Sequence, residues 1–126
     1  MTETTTISNE RRHAEGKYYG REPMAPVAMS VGQRVRFECD RRWWAVRGAT
    51  AETVVLTRKA TFAAVSAWVY TVVDWRAGVR GPVNVIGQGW DVDTDEKCQE
   101  LAELVRGGTW EISWRNWVPV AVVEVR

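Results

Sequence analysis

The run AWVYTVVDW, Ala67–Trp75, decides the fold. Seven of its nine residues are β-branched or aromatic. Such side chains fit a pleated sheet and lose rotamer freedom in a helix. The run predicts a strand. Upstream, Thr53–Arg58 and Trp43–Arg47 read as two further strands separated by Gly48-Ala49-Thr50-Ala51, and Lys59–Ser66 reads as a loop or a single helical turn. In Val31–Asp40, Val35, Phe37 and Cys39 alternate with Arg34, Arg36, Glu38 and Asp40. A period of two marks a strand with one buried face. Asp40-Arg41-Arg42 supplies the turn after it.

Downstream of Trp75, Gly78 and Gly81-Pro82 bracket a loop. Val83–Ile86 is a short strand, and Gly87-Gln88-Gly89 interrupts the pattern. The one convincing helix is Asp95–Arg106. Asp93 or Thr94 can cap its start, and Asp95 and Glu96 suit the positive end of its dipole. Cys98, Leu101, Ala102 and Val105 form one apolar stripe, and Gly107-Gly108 ends it. Trp110–Trp117 and Val120–Glu124 read as closing strands, with Pro119 as a break or an edge. About five to seven short strands and one helix predict a mainly β (α+β) domain over residues 31–126. We expect a small, SH3-like, partly open barrel; a rolled sheet with the helix packed on one face is the alternative. Residues 1–30 are poor in large aliphatics and balanced in charge, so they read as a polar tail, flexible or ordered only on a partner.

The chain has 126 residues and a net charge of +1, enough for one core and without bulk attraction to nucleic acid or membrane. It contains eight tryptophans, more than its core requires, which predicts that some remain at the surface. No apolar run approaches the ~20 residues of a membrane helix, and the N-terminal residues carry no secretory pattern; a cytoplasmic location is the expectation. Cys39 and Cys98 fall on inward positions and read as reduced core thiols rather than a disulfide framework.

Beyond residue 69 the sequence resembles a family of small proteins encoded by actinobacteria and their phages. The resemblance rests on Tyr70-Thr71-Val72-Val73-Asp74-Trp75, Gly78-Val79-Arg80-Gly81-Pro82-Val83-Asn84, Thr94-Asp95-Glu96-Lys97-Cys98 with the helix, and Trp110–Pro119. The family pattern has His where Trp114 stands and an Arg-type residue where Trp117 stands, so any role of that imidazole has no counterpart here. The resemblance implies an actinobacterial or phage origin and no particular activity.

His13, in the tail, is the only histidine. A His-dependent nucleophile would need it held against Ser or Cys, and a zinc site would need four Cys or His ligands; neither is expected. Asp91-Val92-Asp93-Thr94-Asp95 has the alternation of a calcium loop but lacks the required Gly and Glu, with Glu96 and Ala102 in their places; it reads as an acidic helix start. No phosphate-binding glycine motif is present, and nothing implies a cofactor.

Two features point to binding. Residues 34–80 carry nine Arg or Lys against four acids, and residues 81–126 carry four against eight. Arg34, Arg36, Arg41, Arg42, Trp43 and Arg47 interleave charge with an aromatic ring, as surfaces for single-stranded nucleic acid do; a solvated barrel face explains the same pattern. Arg80-Gly81-Pro82 with Asn84 is a rigid turn offering a guanidinium fork to an acidic group or a base edge, or holding Arg80 on Asp74 as a structural pair. Arg115-Asn116 near the final strand has the same ambiguity. These ten residues, Arg34, Arg36, Arg41, Arg42, Trp43, Arg47, Arg80, Asn84, Arg115 and Trp117, are the candidate binding surface. The expected function is a non-catalytic interaction module for a protein partner. The alternatives are a small nucleic-acid-binding barrel and a self-assembling or virion structural protein.

Overall fold

The computed structural model describes residues 24–38, 40–86, 92–107 and 117–126. They form strands β1 (Arg34–Phe37), β2 (Trp44–Ala49), β3 (Thr53–Phe62), β4 (Val65–Asp74), β5 (Val79–Arg80) and β6 (Asn84–Val85), helix α1 (Asp95–Gly107), and strands β7 (Val118–Pro119) and β8 (Val122–Val125). The antiparallel sheet has the order β7-β5-β4-β3-β2-β1-β8, and β6 also pairs β4. Its two outermost strands, β7 and β8, are joined in the chain by Val120-Ala121 alone. The sheet therefore curls into a half-barrel, the mainly β, partly open architecture expected, with one helix. Pro119 sits in an outermost strand, where a missing ladder donor costs least.

The hairpin β3–β4 is the spine. Its ten-residue strands pair without a break from Thr53↔Asp74 to Phe62↔Val65. Alternate side chains enter different cores. Val54, Leu56, Val69 and Val73 join Val35, Phe37, Trp44, Val46, Trp75 and Val120 inside the curl. Val55, Tyr70 and Val72 pack outward against Cys98, Leu101, Ala102 and Val105 of α1 and against Trp117. Burial on both faces explains the unbroken apolar run at the heart of β4. Met24, Val27 and Met29, ahead of β1, also pack on the inner cluster.

Helix α1 is fixed at both ends and in the middle. The Thr94 hydroxyl accepts the Lys97 N–H at 3.2 Å, an N-cap contact. Arg76, held on Asp74 by two 3.0 Å bonds, donates to the carbonyls of Val105 and Arg106 at the other end. Gln99 bonds both backbone groups of Ala49 at 2.8 and 2.9 Å. A register shift between Val46 and Gly48, a β-bulge, brings Gly48 beneath the helix. A Cβ there would lie 2.5 Å from the Cys98 carbonyl carbon and oxygen, so glycine permits the close approach.

One expectation is corrected. Lys59–Ser66 is neither loop nor helical turn: both strands continue through it, and only Ala63-Ala64 turns the chain. Both alanines have positive φ, 47° and 69°, as a type I′ hairpin requires. Such turns usually use Asn-Gly, so alanines left no turn signal. The left-handed conformation is unfavourable for any residue with a Cβ. Ala64→Gly is therefore expected to stabilise the protein by about 0.5–1 kcal/mol, read as a higher urea midpoint at unchanged m-value.

Candidate functional site

The inner face of the curl is mostly apolar: Thr71, opposite Leu56, donates its hydroxyl to the Gly81 carbonyl at 2.8 Å, and two guanidinium groups enter as well. Arg58 on β3 lies opposite Val69, and Arg80 on β5 lies opposite Val73. Directly opposed residues share a face, so both arginines turn toward the inner cluster that holds those valines. Rings receive them. The Cζ of Arg58 is 4.7 Å from the Trp44 centroid. That of Arg80 is 4.5 Å from Phe37 and 5.9 Å from Trp44, within cation–π range.

Asp40, in the segment between β1 and β2, is the carboxylate of this mouth. Its Oδ2 accepts the Trp44 indole N–H at 3.0 Å, and its Oδ1 accepts the Arg42 backbone N–H at 2.9 Å. Arg80 Nη1 stands 3.8 Å from Oδ2, near enough to feel the charge and too far for a hydrogen bond. Arg58 Nε and Arg80 Nη1 are both buried without hydrogen-bond partners. Burial lowers the Arg80 pKa; Asp40 opposes the shift and Arg58 adds to it. Burial likewise lowers Arg58, with Arg42 adding and Asp40 opposing. Burial acts to raise Asp40, but the Trp44 and Arg42 hydrogen bonds and the charges of Arg80 and Arg58 together hold it below its ordinary value.

The other candidate residues are dispersed. Arg36 lies 5.9 Å from the Trp43 ring centroid, as does Arg126 at 4.3 Å, and both guanidiniums pair with Glu124. Arg34, Arg41 and Arg42 are exposed. Arg47 binds Asp95 and Thr57, tying β2 to the start of α1. Asn84 pairs with Tyr70 on the helix-facing side and donates to the Pro82 carbonyl at 3.2 Å; Arg80 and Asn84 thus project to opposite faces. Asp74 holds Arg76, while Arg80 turns to Asp40. Trp117, 2% exposed, belongs to the core and packs on Gly81. Arg115 and Cys39 lie outside the described residues. Sequence reasoning passed over Arg58, whose signal was its inward place in the alternation Val54, Leu56, Arg58.

Among the described residues, the spine outruns the sheet beside the mouth. β2 pairs β3 only as far as Thr57, and β6 meets β4 only from Val69 onward. Arg58–Phe62 and Val65–Trp68 therefore form a two-stranded arm, secured at its base by the Ile86 N–H on the Trp68 carbonyl at 2.9 Å. Val65 is 65% and Trp68 51% exposed on it.

No protein family, curated protein or solved structure matches the chain. Its chemistry is read from the residues alone. Among the described residues no three His, Cys, Asp or Glu side chains gather as a metal site, and no helix is long and apolar enough to cross a membrane. Burial, against the pull of Arg47, pushes the Cys98 thiol up to about 11, so it stays protonated at neutral pH and is a poor nucleophile.

Asp40 links the mouth to stability. The folded protein keeps this carboxyl charged at pH values where the unfolded chain takes up a proton. Its contribution is complete above the unfolded pKa of about 4 and disappears as pH falls through the lowered folded value. Asp40→Asn is expected to melt below the parent at pH 7, with the gap narrowing between pH 4 and pH 2 in a series of thermal melts.

Proposed function

We propose that this protein is a non-catalytic interaction module that engages another protein through the β3–β4 arm and the arginine-lined mouth at its base. The observation that carries the reading is Trp68, half-exposed on an arm that, among the described residues, extends beyond the rest of the sheet. Two-stranded ribbons are marginal by themselves, and here the inner part of each strand is locked in two cores, giving the arm a firm base. Trp and Arg are the residue types most enriched among binding hot spots, and Arg58 and Lys59 stand where the arm leaves the sheet.

Nucleic acid is the weaker reading. Trp43, the ring of the Arg34–Arg47 patch, already has two guanidiniums within cation–π range, and both of them share Glu124. A ring so occupied offers less to a base. Self-assembly through the backbone edges of the arm is the remaining alternative. The resemblance to small actinobacterial and phage proteins directs the search to actinobacterial cells.

The test is capture by the tagged full chain from an actinobacterial lysate, after nuclease treatment and at low and high salt, beside Trp68→Ala. We expect one protein retained through nuclease and salt and lost with Trp68→Ala, whose melting temperature stays close to the parent's. Equal capture by the variant, or capture abolished by nuclease, overturns the proposal, as does a concentration-dependent increase in mass of the pure chain with no other protein bound.

A further inference from the structure

The mouth holds more positive charge than it neutralises. Arg58 feels the charges of Arg42 and Asp40, and Arg80 those of Asp40 and Arg58, so among the described residues one carboxylate, Asp40, answers both buried guanidiniums. That carboxylate is already committed, one oxygen to the Trp44 indole and the other to the Arg42 backbone N–H. Those bonds hold it 3.8 Å from Arg80. Two buried nitrogens, Arg58 Nε and Arg80 Nη1, have no acceptor. A guanidinium N–H buried without a partner is costly, and two such groups within each other's field are an arrangement that an incoming anion would relieve. Neither arginine is sealed off: the Arg80 side chain is 19% exposed and Arg58 is part-exposed. Phe37 and Trp44 keep both guanidiniums in place, so little ordering is left for a ligand to impose.

We infer that the mouth is a binding site for a carboxylate group of a partner protein, received between Arg58 and Arg80 with Asp40 as the resident, partly competing anion. This rests on the interaction-module reading and names what the partner presents. A carboxylate matches the edge of a guanidinium with two parallel bonds. As a monoanion it meets less repulsion from Asp40 than a phosphate dianion would.

The inference is tested on the full chain by titrating acetate and an amide-blocked N-acetylglutamate, with inorganic phosphate as the competing source of oxyanion. Ionic strength is held constant with chloride. The readouts are the Arg58 Nε–H and Trp44 indole N–H resonances. Both carboxylates are expected to give saturating shifts that chloride does not. Asp40→Asn removes the resident charge and should tighten carboxylate binding by roughly tenfold, since like charges about 4 Å apart at an effective dielectric near 20 repel by more than that factor. Arg80→Met should weaken binding by about tenfold or more, with Arg80→Lys, which keeps the charge and loses the fork, between it and the parent. Should Arg80→Met fail to fold, Arg80→Lys and Asp40→Asn still decide the matter. Shifts no different from those chloride gives at the same ionic strength, no tightening with Asp40→Asn, or tighter binding of phosphate than of either carboxylate would overturn the inference. Trp68→Ala should leave these titrations unchanged, so failure of the arm in partner capture and failure of the mouth to take a carboxylate are separate outcomes.

Discussion

The whole molecule depends on one pairing, the ladder between β3 and β4, whose two faces along 53–57 and 69–74 are buried in different cores. A strand pair with one wet face can slip by an even number of residues and keep its pattern. A pair buried on both sides has fewer acceptable registers, because every slip changes what packs in two places. From this pairing follow the inner cluster that β1, β2 and Val120 wrap, and the outer cluster that α1 covers. Closure follows as well: once the spine sets the curl, the short link Val120-Ala121 spans from the β5 edge to the β1 edge.

The same pairing creates the two features with functional potential. The spine is longer than its neighbours, so its distal part becomes an arm. Where the neighbours stop, the inner core ends and charge enters. Arg58 occupies an inward position at that margin, Arg80 joins it from β5, where it lies opposite Val73, and the two cover the rings of Trp44 and Phe37. A hydrophobic side chain at either position would extend the core. Arginine covers the aromatic faces while keeping part of its polar edge accessible to solvent, so the margin is both closed against the core and receptive to an anion. Asp40 moderates this without completing it, because its oxygens are already engaged with β2 and the turn.

Much of the fold was legible. The strand at Ala67–Trp75, the alternation of β1 and the capped amphipathic helix are local patterns, and local patterns report secondary structure well. The arm was not legible, since Ala63-Ala64 adopt a turn that alanine rarely takes and so carried no turn signature. The site was legible only in part. Arg80 stood out, but Asn84, Trp117 and Arg47 have structural employment that spacing does not reveal: an amide bonded to its own turn, a ring packed on Gly81, and a guanidinium tied to the helix start. Arg58 looked like the end of a strand.

The sequence by itself determined a mainly β chain with a helix at Asp95–Gly107, because residue types and short periods set local conformation, and it limits histidine to one residue, His13. Only the tertiary structure decided which charges meet. Asp40 was equally available to any nearby arginine, and Asp74 to Arg76 or Arg80. The curl that brings β5 toward β1 carried Arg80 to Asp40, and the route of the chain under the end of α1 kept Arg76 on Asp74. Electrostatic partnership depends on distance and burial rather than on residue order, and both are products of the closed sheet.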